Sequence, residues 1–250
     1  MFLLGDSHTR SYVTSDYVQP VFIGSGRQNN LSSKFLLVQY VLKLFLFSRY
    51  LRPCKNMTLG IIIGEPDARI AYYGDYWLRG NVRSDEQQAN HIRHASANLR
   101  YLLAISQKIG VHISYIVGAG SPNQEIHGVV RKMNAKFSKV ADQSEVLFFD
   151  PQISFDMAED KHKYFGKSIF NPAENDLVHF SSRVSLDLDK FFQVNRFKIG
   201  EKINFLGKRG AFIHLEFKKE FGCYACVYKH AFDIVFRILN RMELIGRKFF

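Results

Sequence analysis

Cysteine is scarce in this chain, which argues against two common uses of the residue. Three cysteines occur among 250 residues, so the disulfide framework of a small secreted domain is not expected. Cys223 and Cys226 form one CxxC pair near His230. A structural zinc site needs about four ligands, and the sequence offers no second pair. We therefore expect neither a metal site nor a cofactor.

Long uninterrupted apolar runs are also missing. The most apolar stretch, residues 34–51, is short for a membrane-spanning helix, and Gln39, Lys43 and Arg49 interrupt it. It predicts a core-facing helix, with a membrane-associated helix as the alternative. Residues 1–4 lack the basic and long apolar regions of a signal peptide. We expect a cytoplasmic protein, with peripheral membrane association as an option.

Acidic residues are few in the last part of the chain. Residues 196–250 contain 12 Lys/Arg and 5 Asp/Glu, so they carry +7 of the formal net charge of +11. The segment fits a hairpin with its turn at residues 207–210, followed by an amphipathic helix. We expect this extension to cover a face of the main domain or to dock on an anionic membrane surface or a protein partner. No nucleic-acid motif is present, and nucleic acid is not an expected partner.

Apolar segments of strand and helix character alternate over residues 1–195. This alternation predicts an α/β domain, a three-layer α/β/α sandwich with a mainly parallel sheet. Residues 196–250 leave the pattern and form a C-terminal extension. The predicted strands cover residues 2–4, 20–24, 59–63, 111–117 and 145–150, and the predicted helices cover residues 84–110, 124–141 and 181–193.

Four loops follow predicted strands directly, at residues 5–9, 24–29, 64–69 and 118–122. Because the carboxyl ends of parallel strands lie at one edge of a sheet, these loops should lie close together. Ligand sites of open α/β sheets form at that edge. The sequence therefore predicts a functional site built from these loops.

A serine nucleophile and its base can be assembled at this edge. Ser7 follows the first strand, and Asp176 and His179 lie three residues apart before the last helix of the domain. A serine hydroxyl becomes a good nucleophile when a histidine takes its proton and a carboxylate orients that histidine. In a helical turn or a tight loop, this spacing places Asp176 and His179 on one side. His8 is expected to be a structural hydrogen-bonding residue rather than the base.

These residues resemble two sequence blocks of the SGNH (GDSL-type) hydrolase family. The sequence "GDSH" (5–8) is similar to the first block, which carries the nucleophile, and "DLVH" (176–179) is similar to the last block. The resemblance covers residues 1 to about 195. It implies an α/β/α hydrolase fold in which Ser7, Asp176 and His179 form a catalytic triad.

The two middle blocks match the family less closely. In "VFIGSG" (21–26), either Gly24 or Gly26 stands where the family places an oxyanion-hole glycine, and we take Gly24 as the candidate. The third block, Gly-x-Asn-Asp in the family, reads "GEPD" (64–67), so Pro66 replaces an oxyanion-hole asparagine. Proline has no side-chain donor and no N–H.

The third block of this chain resembles a variant with the pattern Gly-Glu-x-Asp-x-Arg, found in SGNH-like proteins often associated with surface-polysaccharide genes. On this resemblance, Gly64, Glu65, Asp67 and Arg69 are candidates for the oxyanion hole or for substrate binding. Arg69 could supply the missing positive group, or it could form a structural ion pair with Glu65 or Asp67.

The resemblance implies a serine-dependent esterase that acts on an O-acyl ester, in the first place an O-acetyl ester of a sugar or a surface glycan. One alternative is a polysaccharide O-acyltransferase with the same triad, because water exclusion and acceptor binding decide between transfer and hydrolysis. Another alternative is a non-catalytic glycan-binding or membrane-associated protein on an SGNH fold, which Pro66 and the basic extension would suit.

Overall fold

A computed structural model describes residues 1–12, 14–22, 31, 37, 41–42, 44–45, 58–74, 81–167 and 175–197 of the chain. Gly24 and Gly26, the CxxC pair and nearly all of the extension 196–250 lie outside the described residues. The roles suggested for them, including the anionic partner of the extension, therefore stay predictions.

The centre of the fold is a five-stranded parallel sheet with the strand order β2-β1-β3-β4-β5. This is the strand order of flavodoxin-like folds, and it confirms the predicted fold class. The strands are β1 (Phe2–Gly5), β2 (Gln19–Phe22), β3 (Leu59–Ile62), β4 (Ile113–Val117) and β5 (Leu147–Phe149).

Helices and a small hairpin connect and follow these strands. A 3-10 helix, Ser7–Tyr12, follows β1 directly. Two short strands, β6 (Phe165–Lys167) and β7 (Asn175–Phe180), pair antiparallel as a separate two-stranded sheet. The α-helices are α1 (Glu65–Tyr73), α2 (Asp85–Lys108), α3 (His127–Gln143), α4 (Pro151–Asp156) and α5 (Arg183–Val194).

The two faces of the sheet bury two separate apolar clusters, which makes the domain three layers deep. Alternate residues of a strand point to opposite faces. Leu4 and Ile116 therefore pack in one cluster with α1, α2 and α3, while Leu3 and Tyr115 pack in the other with α4 and α5. The side chains of these four strand residues are fully buried.

The apolar segment 34–51 contributes to the first of these clusters. Leu37 and Leu44 are helical and buried in it, and Val41 and Phe45 pack against it while partly exposed. These described residues favour the core-facing interpretation of the segment over the membrane-associated one. Within the described part of the chain, no helix is both long and apolar enough to span a membrane.

Helix α2, within the helix predicted over residues 84–110, begins with a capping box. The hydroxyl of Ser84 accepts from the N–H of Gln87, and the side chain of Gln87 accepts from the N–H of Ser84. Because Ser84→Ala removes a hydrogen bond to a helix N–H, we expect the free energy of unfolding to fall by about 1 kcal/mol. Urea unfolding of the variant tests this. Ser96→Ala, a substitution within the same helix, serves as the control and should change stability less.

Candidate active site

The carboxyl ends of β1 and β3 lie side by side where the strand order reverses, and the candidate residues gather there. Ser7 begins the 3-10 helix immediately after β1, and Glu65 begins α1 just after β3. Gly5 permits this close approach, because a Cβ at that position would lie 1.9 Å from Cγ2 of Ile62. Ligand sites of flavodoxin-like sheets form at this reversal point.

The Asp176–His179 segment lies in a bulged strand, and its conformation differs from the helical turn or tight loop that the sequence suggests. Residues at i and i+3 of a regular strand point to opposite faces. In the β6–β7 hairpin, Lys167 pairs with Asn175 and Phe165 with Phe180, so Gly166 alone faces residues 176–179. Residues 176–179 thus include three more than a regular pairing would hold, and the bulge frees all four from the strand alternation.

Hydrogen bonds of Asp176 hold the bulge in shape and orient the histidine. Its Oδ1 accepts from the backbone N–H groups of Val178 (2.8 Å) and His179 (3.1 Å). Its Oδ2 lies 3.0 Å from Nδ1 of His179. Burial raises the pKa of Asp176, but the hydrogen bonds and charge of His179 outweigh it and hold that pKa well below its usual value. Asp176 is therefore an ionised acceptor for the imidazole of His179.

Hydrogen bonds from the 3-10 helix that begins at Ser7 hold this helix against the bulge. The hydroxyl of Ser11 donates to the carbonyl of Phe180 (2.7 Å). Nε2 of His8 lies 3.2 Å from the carbonyl oxygen of Val178. The ring of His8 also packs against the ring of His179, with 4.5 Å between their centroids. The residue next to Ser7 is thus in direct contact with the predicted base.

His8 lies in a buried group of charged residues. Its Nδ1 is 2.8 Å from Oδ1 of Asp6, and its Nε2 is 3.3 Å from Oε2 of Glu65. Burial lowers the pKa of His8, but the carboxylates of Asp6 and Glu65 outweigh burial and raise the pKa to about 9. His8 also lowers the pKa of Asp6, against the effect of burial. The pair is therefore charged at neutral pH.

The third block forms a helix start rather than the loop expected from the sequence. Gly64 precedes α1 with φ at +101°, a backbone conformation that glycine adopts without strain. Pro66 then lies in the first turn, where a missing N–H costs no helical hydrogen bond. The start of a helix therefore explains why a proline is compatible with this position. Arg69, one turn further on, pairs with Glu65 through its Nε, so the structural ion pair is present.

Asp67 is fully buried on the other side of this turn. Both of its carboxylate oxygens accept a hydrogen bond from the backbone N–H of Leu31, and each oxygen lies 3.0 Å from that nitrogen. Nε2 of His91 lies 3.7 Å away. Burial raises the pKa of Asp67 more than these contacts lower it. The described contacts of Asp67 therefore anchor the chain at Leu31, and they do not bring it to His179.

The structure thus brings together Asp176, His179 and the backbone of Ser7. Glu65 lies next to this group because it contacts His8, and Arg69 pairs with Glu65. The Asp6–His8 charge pair is the part that sequence reasoning missed, although an Asp-x-His spacing in a turn after a strand was a visible signal. Among the described residues, no group of three or more His, Cys, Asp or Glu side chains could hold a metal ion.

Comparison with known proteins agrees with the fold. No family model matches the chain, and no curated protein matches it. A mutant of Axe2, an acetyl-xylooligosaccharide esterase from Geobacillus stearothermophilus, has a TM-score of 0.50 and 14% identity over 79% of this chain and 94% of that one. A catalytic mutant of Axe2, described as an acetylxylan esterase, has a TM-score of 0.50 and 12% identity over 80% and 95%.

A phospholipase A1 from Streptomyces albidoflavus has a TM-score of 0.44 and 13% identity over 78% of this chain and 97% of that one. At such identities a structural likeness establishes the fold alone. The chain has an α/β fold similar to that of Axe2, as the resemblance to SGNH hydrolases predicts.

Proposed function

We propose that this protein is a serine-dependent esterase that hydrolyses an O-acyl ester, most specifically an O-acetyl ester of a sugar or a surface glycan. The observation that carries the proposal is the Asp176–His179 hydrogen bond, held in a bulge that the 3-10 helix of Ser7 contacts directly. Ser7 is the nucleophile, His179 the general base, and Asp176 the group that orients it.

The roles of the two imidazole nitrogens follow from this hydrogen bond. Because Nδ1 of His179 donates to Asp176, Nε2 is the nitrogen that takes the proton of the Ser7 hydroxyl. The Ser7 oxygen then bonds to the acyl carbon, and the sugar oxygen leaves with the proton from His179. Water, deprotonated by the same Nε2, attacks the acyl-enzyme and releases the carboxylic acid, which restores the Ser7 hydroxyl.

The developing oxyanion needs donors other than the side chain at position 66. The N–H groups of Ser7 and Gly24 are the proposed donors, with Gly64 and Arg69 as further candidates. One missing oxyanion donor costs about 10²–10³ in rate. The ion pair of Arg69 with Glu65 holds its guanidinium close to the charged group around His8, so it adds positive potential beside the candidate site.

The acetyl-sugar part of the proposal takes support from Axe2. That protein is described as an acetylxylan esterase, and its catalytic mutants replace an aspartate, a histidine or a serine with alanine. These are the residue types of the triad proposed here.

A serine-reactive phosphonate probe and an acetyl-release assay test the proposal together. We expect the probe to label Ser7 in the folded protein and acetylated xylo-oligosaccharides to lose acetate. Labelling should vanish in Ser7→Ala and in His179→Ala, and persist in the control His112→Gln, whose exposed side chain lies at the opposite edge of the sheet. An unlabelled wild-type protein would contradict the proposal and leave the non-catalytic alternative.

Adding a sugar acceptor to the same assay separates hydrolysis from transfer. Free acetate as the main product supports an esterase. An acetylated acceptor as the main product would instead assign the same triad to an O-acyltransferase, because water and acceptor compete for one acyl-enzyme.

A further inference from the structure

We propose that His8 is a positioning residue for His179: as an imidazolium between Asp6 and the carbonyl of Val178, it fixes the 176–179 bulge and places a positive charge against the His179 ring. This inference rests on the proposed function, because it assigns His8 a part in preparing the base. The sequence alone had indicated only a structural hydrogen bond for His8.

The hydrogen-bond partners of His8 determine its protonation state. Nδ1 faces a carboxylate oxygen of Asp6 at 2.8 Å, and Nε2 faces the carbonyl oxygen of Val178 at 3.2 Å. Both partners are acceptors that carry no proton to donate. A neutral imidazole has one N–H and would leave one of these contacts without a proton, whereas an imidazolium satisfies both.

The charged groups around His8 come from three elements and favour the same state. Asp6 precedes it in the chain, Glu65 and Arg69 face it from α1, and His179 with its partner Asp176 faces it from β7. Two carboxylates contact His8 directly, and Arg69 opposes them less strongly.

Glu65 contributes charge rather than a hydrogen bond at this point. Its Oε2 is buried and accepts no hydrogen bond from the described residues, although Nε2 of His8 lies 3.3 Å away. The proton on Nε2 is therefore directed at the carbonyl of Val178. Arg69 pairs with the other carboxylate oxygen of Glu65, whereas the imidazolium of His8 is the positive group beside Oε2, so His8 ties α1 to the bulge.

The consequence for His179 has a geometric and an electrostatic part. The hydrogen bond to Val178 holds the backbone one residue before His179. It therefore fixes the position of the His179 backbone from which the imidazole extends. The positive ring of His8, 4.5 Å from it, opposes a second positive charge on His179. The carboxylate of Asp176, by contrast, favours a positive charge on His179. The two influences together keep His179 neutral, as a general base must be, at a lower pH than Asp176 alone would allow.

Nitrogen-15 NMR of the histidine rings in the wild-type protein tests the proposal without relying on activity. The spectra of His8→Gln and His179→Ala assign the two rings among the nine histidines. At pH 7.5 we expect both nitrogens of His8 to have imidazolium shifts, while His179 is neutral with its proton on Nδ1. A neutral His8 at this pH would overturn the proposal. Because the observation needs no turnover, it distinguishes failure of this inference from failure of the esterase assignment.

Two substitutions then separate charge from position. The amide of His8→Gln can still donate to Val178 but carries no charge, whereas the shorter His8→Asn reaches Asp6 and not Val178. We expect both to move the acid limb of the kcat/KM profile upward by about one pH unit, since a neighbouring like charge is lost. Only His8→Asn should also lose about 10²-fold in kcat, with KM little changed, because the base is misplaced.

The control is His112→Gln, which should leave both the profile and kcat unchanged. An acid limb that stays in place in both His8 variants would overturn the proposal, whatever the loss in rate, because a merely structural His8 would lower activity without moving the limb. If neither variant folds, the wild-type NMR result decides, with the His8 ring assigned by correlation to its own backbone resonances.

Discussion

Replacing Asp176 with asparagine is expected to lower kcat/KM for an acetyl ester about 10⁴-fold while the fold stays intact. The asparagine oxygen can still accept from the N–H groups of Val178 and His179, so the bulge keeps its shape. Its NH₂ group would face Nδ1 of His179, where Oδ2 now accepts. The imidazole must then accept at Nδ1 and carry its proton on Nε2, the nitrogen that has to receive the proton of Ser7.

Hydrolysis of p-nitrophenyl acetate, with thermal unfolding measured in parallel, checks this prediction. Asp160→Asn is a matched control, because Asp160 also accepts a backbone N–H two residues on, from His162 at 3.1 Å, but contacts no part of the site. The control should keep its activity. A fall of less than tenfold in Asp176→Asn, with an unchanged unfolding temperature, would contradict the role given to Asp176.

The sheet and its layers could be predicted because each strand is a short apolar run between punctuating residues. The segment "LGIII" ends at Gly64, and "VHISYIV" ends at Gly118, and both lie where strands are found. The long helix α2 was also predictable, since Ser84 and Gln87 give its start and apolar residues recur on one face. The parallel order then places the strand ends at one edge, so the location of the site followed from local signals.

The conformations at that edge could not be predicted from the same signals. The bulge of residues 176–179 depends on how β7 pairs with β6, and pairing between segments is not visible in the local sequence. Glycine and proline cluster at the start of helix α1, and this pattern by itself predicts a loop. Pro66 is compatible with a first helical turn, so the same residue that suggests a loop also permits a helix.

The charge on His8 was the least accessible feature, because it depends on groups from separate parts of the chain. Asp6 is a sequence neighbour, but Glu65 and Val178 reach His8 only through the fold. An isolated histidine titrates near pH 6.5. Only the assembled site shows two acceptors on one ring, and hence a charged residue in the core.

This buried charge makes stability depend on pH in alkaline solution. The pKa of His8 is about 9 in the folded protein against about 6.5 when the chain is unfolded. The folded state therefore holds a proton that the unfolded state releases, and the stabilisation is fully present below pH 6.5 and lost as the pH rises through 9. Such a shift corresponds to about 3 kcal/mol. The cause is the loss of the imidazolium that compensates Asp6 and Glu65.

The difference in unfolding free energy between the wild type and His8→Gln isolates this contribution, because the other titrating groups are common to both proteins. Urea unfolding at intervals from pH 6 to pH 10 should show the difference shrinking by about 3 kcal/mol, mostly between pH 6.5 and 9. The wild type minus His112→Gln should stay constant, since His112 is exposed. A constant difference for His8→Gln across this range would mean that folding leaves the pKa of His8 unchanged, so that His8 is mostly neutral above pH 6.5 in the folded protein. Asp6 and Glu65 would then have to be compensated in some other way, and the contact of His8 with Val178 would be an ordinary hydrogen bond without a charge.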